Sequence, residues 1–236
     1  MRHFRQILVV LVLMLSAVVF YSCENADPIT SVNQDRIFQT YDVEYRGDDA
    51  YTYGRATFRL ENASGSYITL TGGNAGVTFN GSNMSEVSAF GVVYYQAGVS
   101  GVPQNVLFVY TDANSNSFSN QVNISSQAIG FISPPPTISK SVGYTFNYTG
   151  AITAGETVWL RLYNASNDSL VFERNNITSG SSNITMSASD FSAIPTGSYY
   201  AKLYRNDQQP LQEANPVGGV INRSYISTRA AFTLVN

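Results

Sequence analysis

The sequence predicts an all-β chain, two tandem β-sandwiches behind an N-terminal export segment. Three observations lead there. Apolar and polar residues alternate with period two in stretch after stretch, as half-buried strands require, and no amphipathic helix pattern of useful length interrupts them. Gly, Asn, Asp and Ser, the residues turns need, separate the stretches at short intervals. Charged residues make up only 12% of the chain, while 16 Tyr and 13 Phe supply bulky side chains suited to a pleated surface.

The first 22 residues carry a different pattern. Arg2 and Arg5 make a positive start, residues 7–21 run almost without a polar group, and small Ser22 precedes Cys23. That is the layout of a secretory signal peptide, and the run is shorter than the roughly 20 apolar residues of a spanning helix. Cys23 is the sole cysteine and stands where the run stops. The segment resembles a bacterial lipoprotein signal, in which this cysteine becomes the acylated first residue. Ser22 and Cys23 match the end of the usual motif, whereas Phe20 and Tyr21 replace its Leu and small residue. Boxes this loose resemble those of Bacteroidetes lipoproteins. The resemblance implies a lipid anchor at Cys23 in the bacterial outer membrane, on its periplasmic or cell-surface face, with residues 23–35 as tether. Glu24 and Asp27 resemble a surface-export signal of that phylum.

Residues 36–129 read as the first sandwich. Ile37, Tyr41, Val43 and Tyr45 share one face of a strand and Asp42 and Glu44 the other. After a turn at Gly47-Asp48-Asp49, Ala56, Phe58 and Leu60 point in, and Arg55, Thr57, Arg59 and Glu61 point out. Short strands follow near residues 68–70 and 77–79, and Asn80-Gly81 is a tight hairpin turn. Residues 106–110 form a continuous apolar run, read as a central strand, and residues 118–124 return from it.

Pro134-Pro135-Pro136 cannot continue a sheet, so residues 130–137 are read as a stiff connector. Residues 138–236 then make a second sandwich. Tyr144, Phe146 and Tyr148 alternate, as do Val158, Leu160 and Leu162, and Ala230, Phe232 and Leu234 close the chain. The segment Ile194-Pro195-Thr196-Gly197-Ser198-Tyr199 resembles the tyrosine corner of immunoglobulin and fibronectin type III sandwiches, with Tyr199 as the residue that bonds back to the main chain. It departs from the usual form in that the apolar residue directly precedes the proline. The layout as a whole resembles two-domain Bacteroidetes lipoproteins of immunoglobulin-like build.

Composition also excludes chemistries. His3, inside the signal segment, is the only histidine. A mature chain without His or free Cys cannot run a Ser-His-Asp or Cys-His mechanism or build a His- or Cys-ligated zinc site. Cys23, if acylated, leaves no thiol, so no disulfide can form. From Cys23 on, 11 Lys and Arg stand against 16 Asp and Glu, a net charge of −5. Two lysines and no basic cluster argue against a nucleic-acid partner.

Three groups remain as candidate sites. Asp112, Asn114 and Asn116 have the alternating oxygens that open a calcium loop, but Ser117 and Asn123 stand where Gly and Glu belong, and turn residues explain the same pattern. Asp42 and Glu44, roughly 7 Å apart along a strand, leave a carboxylate-pair glycosidase formally open, although a solvated face is the simpler account. In the second sandwich Trp159, Arg161 and Tyr163 point away from the core on one strand, and Tyr200, Lys202 and Tyr204 on another. In immunoglobulin topology those two strands are neighbours, which gathers the six into one aromatic and basic face holding the only tryptophan. Stacked pairs that merely stabilise the sheet, or cover by the first domain, are the competing accounts. The expectation is a non-enzymatic envelope lipoprotein without cofactor, an accessory subunit with a protein partner. The alternatives are a glycan-binding module or a fimbria-like structural subunit.

Overall fold

A computed structural model describes residues 26–236, so the signal segment and Cys23 lie outside the described residues. The strands are β1 (Asp27–Pro28), β2 (Ile37–Arg46), β3 (Tyr51–Leu60), β4 (Ile68–Thr69), β5 (Gly76–Phe79), β6 (Ser82–Asn83), β7 (Ser85–Ala89), β8 (Val92–Ser100), β9 (Val106–Thr111) and β10 (Ser117–Val122) in the first half. The second half adds β11 (Thr137–Ser139), β12 (Tyr144–Asn147), β13 (Thr157–Asn164), β14 (Leu170–Asn176), β15 (Asn183–Met186), β16 (Gly197–Pro210), β17 (Gly219–Ile226) and β18 (Ala230–Val235). A short α-helix, Ala188–Ser192, opens in a capping box: the Ser187 side chain accepts from the Asp190 N–H and the Asp190 carboxylate from the Ser187 N–H. The chain is all-β and of immunoglobulin-like sandwich build.

In the first sandwich, β2, β3, β8 and β7 face the sheet β10–β9–β5–β6. Alternation places Ile37, Tyr41, Val43, Ala56 and Phe58 inward, against Phe108 and Tyr110 of β9. Tyr41 stacks on Phe108 and Phe58 tilts onto Tyr110, each pair 4.6 Å between centroids. Gly54 lies on the inward face of β3 beneath the Phe79 ring, whose edge occupies the space a Cβ would take. Asn80 and Gly81 both have positive φ and join β5 to β6 in the tight turn their types favour.

The second sandwich sets β12–β15 against β14–β13–β16–β18–β11. Its core gathers Phe146, Leu160, Leu162, Phe191, Tyr199, Leu203 and Phe232. The Tyr199 hydroxyl donates to the Pro195 carbonyl at 2.8 Å, fastening the crossover to the start of β16.

Two boundaries differ from the sequence expectation. Residues 26–35 are not a free tether. β1 pairs with β4, Ile29 is 0% exposed inside the first core, and the Gln34 amide donates to the carbonyls of Ile29 and Val32. Nor do residues 130–137 connect two separate bodies. Ile124 belongs to the first core and Ile129 to the second, with Phe131 packed beside it, so the change of core precedes the prolines.

More consequentially, the two halves share a sheet. β16 is 14 residues long and outruns its own sandwich. Its far end pairs with β17, and β17 lies parallel to β2 from Gly219↔Gln39 to Ile226↔Arg46. The result is a ten-stranded sheet through both halves. Ile221 of this arm sits in the first core, and Gln212 and Glu213 at its tip bond to Ser119, Asn120 and Gln121 of β10. Where the inward residues pass from one core to the other they turn ionic. Arg205 bonds Glu156 at 2.5 Å, and Arg223 bonds Asp207 at 2.8 Å through Nε, both pairs buried. Arg223 also donates to the Asn123 carbonyl, and Gln127 to Glu156, so each pair is stitched to the first half. Beside them Tyr225 packs on Tyr45 at 4.6 Å.

Candidate binding surface

The face opposite the cores is built from the other half of each alternation. Strand register aligns its residues in rows. One row crosses seven strands through Asn175, Trp159, Tyr204, Ile226, Arg46, Tyr51 and Ser100. A second runs Gln208, Asn222, Asp42, Arg55, Gln96 and Ser85. Residues from both halves therefore stand in direct cross-strand contact.

The six residues singled out in the second sandwich are brought together. Trp159 stands opposite Tyr204, Arg161 opposite Lys202 and Tyr163 opposite Tyr200. Their environments differ from a uniformly open patch. Tyr200 is only 8% exposed, because Tyr163 stacks on it at 5.1 Å and the Arg229 guanidinium lies over its ring, while its hydroxyl donates to Asp168 at 3.0 Å. The Lys202 ammonium is held 2.6 Å from Asp48, which the β2–β3 turn of the first half carries across. Burial alone would raise the Asp48 carboxyl, but its bonds to Lys202 and the Arg229 amide outweigh that and lower it. Tyr163 and Tyr204 share a 2.8 Å hydrogen bond, and burial, with that bond, pushes the Tyr163 hydroxyl up to about 12. What stays presentable is the half-buried trio Trp159, Arg161 and Tyr204.

Arginine and tyrosine recur in pairs across this face. Arg161 lies over Tyr204, Arg46 over Tyr53 and Arg55 over Tyr94, each 4.5 Å from the ring centroid, and Arg59 lies over Tyr67 at 4.0 Å. Each pairing sets a guanidinium over the negative face of a ring. Between them lies an open concavity of about 700 Å³, lined by Asp42, Glu44, Arg46, Tyr53, Arg55, Gln96 and Asn222 among others. The Asp42 carboxylate accepts from Asn222 at 2.7 Å and Glu44 from Arg46 at 2.5 Å. The two acids thus act as positioned acceptors on a polar floor.

Asp112 is placed elsewhere, in the turn between β9 and β10. One of its oxygens accepts from the backbone N–H groups of Asn114 and Asn116, the other from the Asn116 amide, and the residue is 1% exposed. Its oxygens hold the turn closed, as the turn reading of Asp112, Asn114 and Asn116 requires. Among the described residues no group of three or more acidic, His or Cys side chains is arranged to hold a metal ion.

Sequence reasoning missed the first-half share of the face, because nothing local says that β17 lies beside β2. It was within reach to see that Arg46 and Tyr53, on two strands joined by a short turn, could meet diagonally.

Neither a protein-family model nor a curated protein sequence matches the chain. Among solved structures it is similar to the chicken CNTN1 FN1–FN3 domains, at 7% identity and TM-score 0.28, covering 83% of this chain and 67% of that one. It is also similar to a Bacteroides ovatus protein of a mixed-linkage glucan utilization locus, SGBP-B, in complex with a mixed-linkage heptasaccharide. There identity is 16% and TM-score 0.24, over 90% of this chain and 47% of that one. The Yersinia pseudotuberculosis adhesin InvE gives 10% identity and TM-score 0.24, over 86% and 60%. This chain thus spans about half the length of the Bacteroides structure and less than two thirds of the Yersinia one. Overlaps this loose leave function to be argued from the chain's own residues.

Proposed function

We propose that this chain is a non-enzymatic lipoprotein of the bacterial outer membrane, anchored through Cys23, that binds an envelope protein partner as an accessory subunit. The observation that carries the reading is the row from Asn175 to Ser100, which runs through Trp159, Tyr204 and Arg46 and makes one surface of both halves. A shared sheet with ionic pairs at its seam supports a fixed platform, and Trp, Tyr and Arg are the side chains that dominate protein interfaces. The layout of residues 1–23 supports export and anchoring.

A second reading is favoured by the concavity alone. Its carboxylates, amides and guanidinium, with Tyr53 at the wall, suit the hydroxyl groups of a saccharide. One experiment separates them. A photo-crosslinking residue at Gln96, and another at Trp159, in the full-length chain in cells should capture one dominant envelope protein. Capture of a saccharide at Gln96 would transfer the function to glycan binding, and ladders of this chain alone would mark a structural polymer. Turnover of a glycan that is lost in Asp42→Asn would overturn the non-enzymatic reading.

A further inference from the structure

The β7–β8 hairpin ends in a turn that neither folding nor solubility explains. Phe90 and Gly91 occupy its two central positions with φ of 53° and 78°. The β5–β6 turn has matching φ values, 50° and 79°, but uses Asn80 and Gly81. Asn tolerates the left-handed region, and the Asn80 side chain also accepts from the Leu107 N–H. Phe90 does neither. A bulky apolar residue held in that region is a backbone outlier, and such outliers point to function when no local contact repays them. Phe90 makes no such contact, being 96% exposed, with exposed Ala89 and Val92 beside it.

The position of this tip in the sheet suggests its partner. β8 runs antiparallel to β3, with Ala56 opposite Tyr95. The start of β8 and the turn before it therefore lie toward the Leu60 end of β3. At that end Tyr67 bridges Arg59, and β1 runs parallel to β4, with Asp27 opposite Ile68 and its N–H donating to the Tyr67 carbonyl. Ala26, just before β1, therefore lies toward the same end of the sandwich. Val92, Ala63 and Tyr67 line one concavity there, and Tyr67 is also the residue to which Asp27 of β1 bonds, so the hairpin and the N-terminal strand lie toward the same end of the sandwich. Only two residues, Glu24 and Asn25, separate Ala26 from Cys23, three Cα–Cα steps with a reach of at most about 11 Å at full extension.

We propose that Phe90 is a second membrane contact: it inserts into the lipid surface to which Cys23 is anchored and sets the orientation of the protein upon it. The inference rests on the lipoprotein reading. A single aromatic ring binds a bilayer too weakly to hold a free protein, but a short tether makes the encounter intramolecular and raises its effective concentration. With both contacts at one end of the first sandwich, the long sheet is held at a defined tilt.

The sole cysteine makes the test direct. The chain from Cys23 onward is coupled through that thiol to maleimide-bearing lipid in phosphatidylethanolamine–phosphatidylglycerol vesicles. Tryptophan emission is read from Phe90→Trp in a Trp159→Phe background, with Val142→Trp, an exposed site in the second sandwich, as reference. Coupling should shift the position-90 emission to the blue and make it quenchable by brominated lipid, leaving position 142 unchanged. Emission at 90 equal to that of the uncoupled chain, or equal quenching at 90 and 142, overturns the proposal. So does a cross-linked protein partner lost in Phe90→Asn when the vesicle signal is flat. Because the coupling is chemical, the result is independent of acylation in the cell. That separate reading fails if Cys23→Ser stays in the membrane fraction.

Discussion

Arg205 and Glu156 meet 2.5 Å apart at the seam between the two cores, each side chain about 5% exposed. Burial alone would raise the Glu156 carboxyl, but hydrogen bonds from Arg205, Thr153 and Gln127 outweigh it and hold the group at about 2. A carboxyl depressed below its unfolded value stabilises the fold above that value and ceases to do so as pH falls through the folded one. Stability, followed by urea unfolding, should therefore decline from about pH 4.5 toward pH 2. Glu156→Gln should flatten that decline and, by leaving Arg205 buried without its counter-charge, lower stability at pH 7 by roughly 3 kcal/mol.

The parallel pairing of β17 on β2 depends on Gly219, where an added Cβ would stand 2.1 Å from the Gln39 carbonyl oxygen. Gly219→Val should push the arm off the sheet edge. Hydrogen exchange at the amides of β17 should rise selectively, while the amides of β13 keep their protection.

Tyr199→Phe removes one hydroxyl and its bond to Pro195. The loss should be about 1 kcal/mol, the usual net worth of such a bond, read as a lower unfolding midpoint at unchanged m-value.

Trp159→Ala tests the surface. The side chain is half-buried and faces away from both cores, so chemical unfolding should change by about 1 kcal/mol or less, as at a surface site. Cross-linking yield to the captured partner should fall sharply. An unaffected yield would remove Trp159 from the interface.

Phe90→Asn should stabilise the hairpin, by roughly 0.5–1 kcal/mol, because it places at that turn the residue found at Asn80. Thermal unfolding reads this gain, and the same variant should lose its lipid contact.

Much of this was legible in residues alone. Period two gave the inward sets of β2, β3, β13 and β18, and the spacing of Trp159, Arg161 and Tyr163 against Tyr200, Lys202 and Tyr204 gave their shared face. Two things were not legible. Ile29 lies in Asp27-Pro28-Ile29-Thr30-Ser31, too short and irregular to show a period, so its burial could not be read. The pairing of β17 with β2 joins strands from opposite ends of the chain, and only backbone register records it. A trace was present nonetheless. Leu203, Arg205 and Asp207 keep one inward phase, as do Ile221, Arg223 and Tyr225, so charges fall where apolar residues are due. A strand that turns ionic without changing phase is leaving one core for another.

The arm that completes the first sandwich has a consequence in time. A chain made from its N-terminus delivers β2 early, yet the strand that covers its outer edge, β17, arrives only when nearly the whole chain has been made. Until then β2 presents a row of unpaired N–H and C=O groups, an invitation to pair with another chain. Folding of the N-terminal half is thereby made to wait on the C-terminal half, and a chain interrupted before Ile226 leaves an exposed edge that a chaperone or protease could recognise.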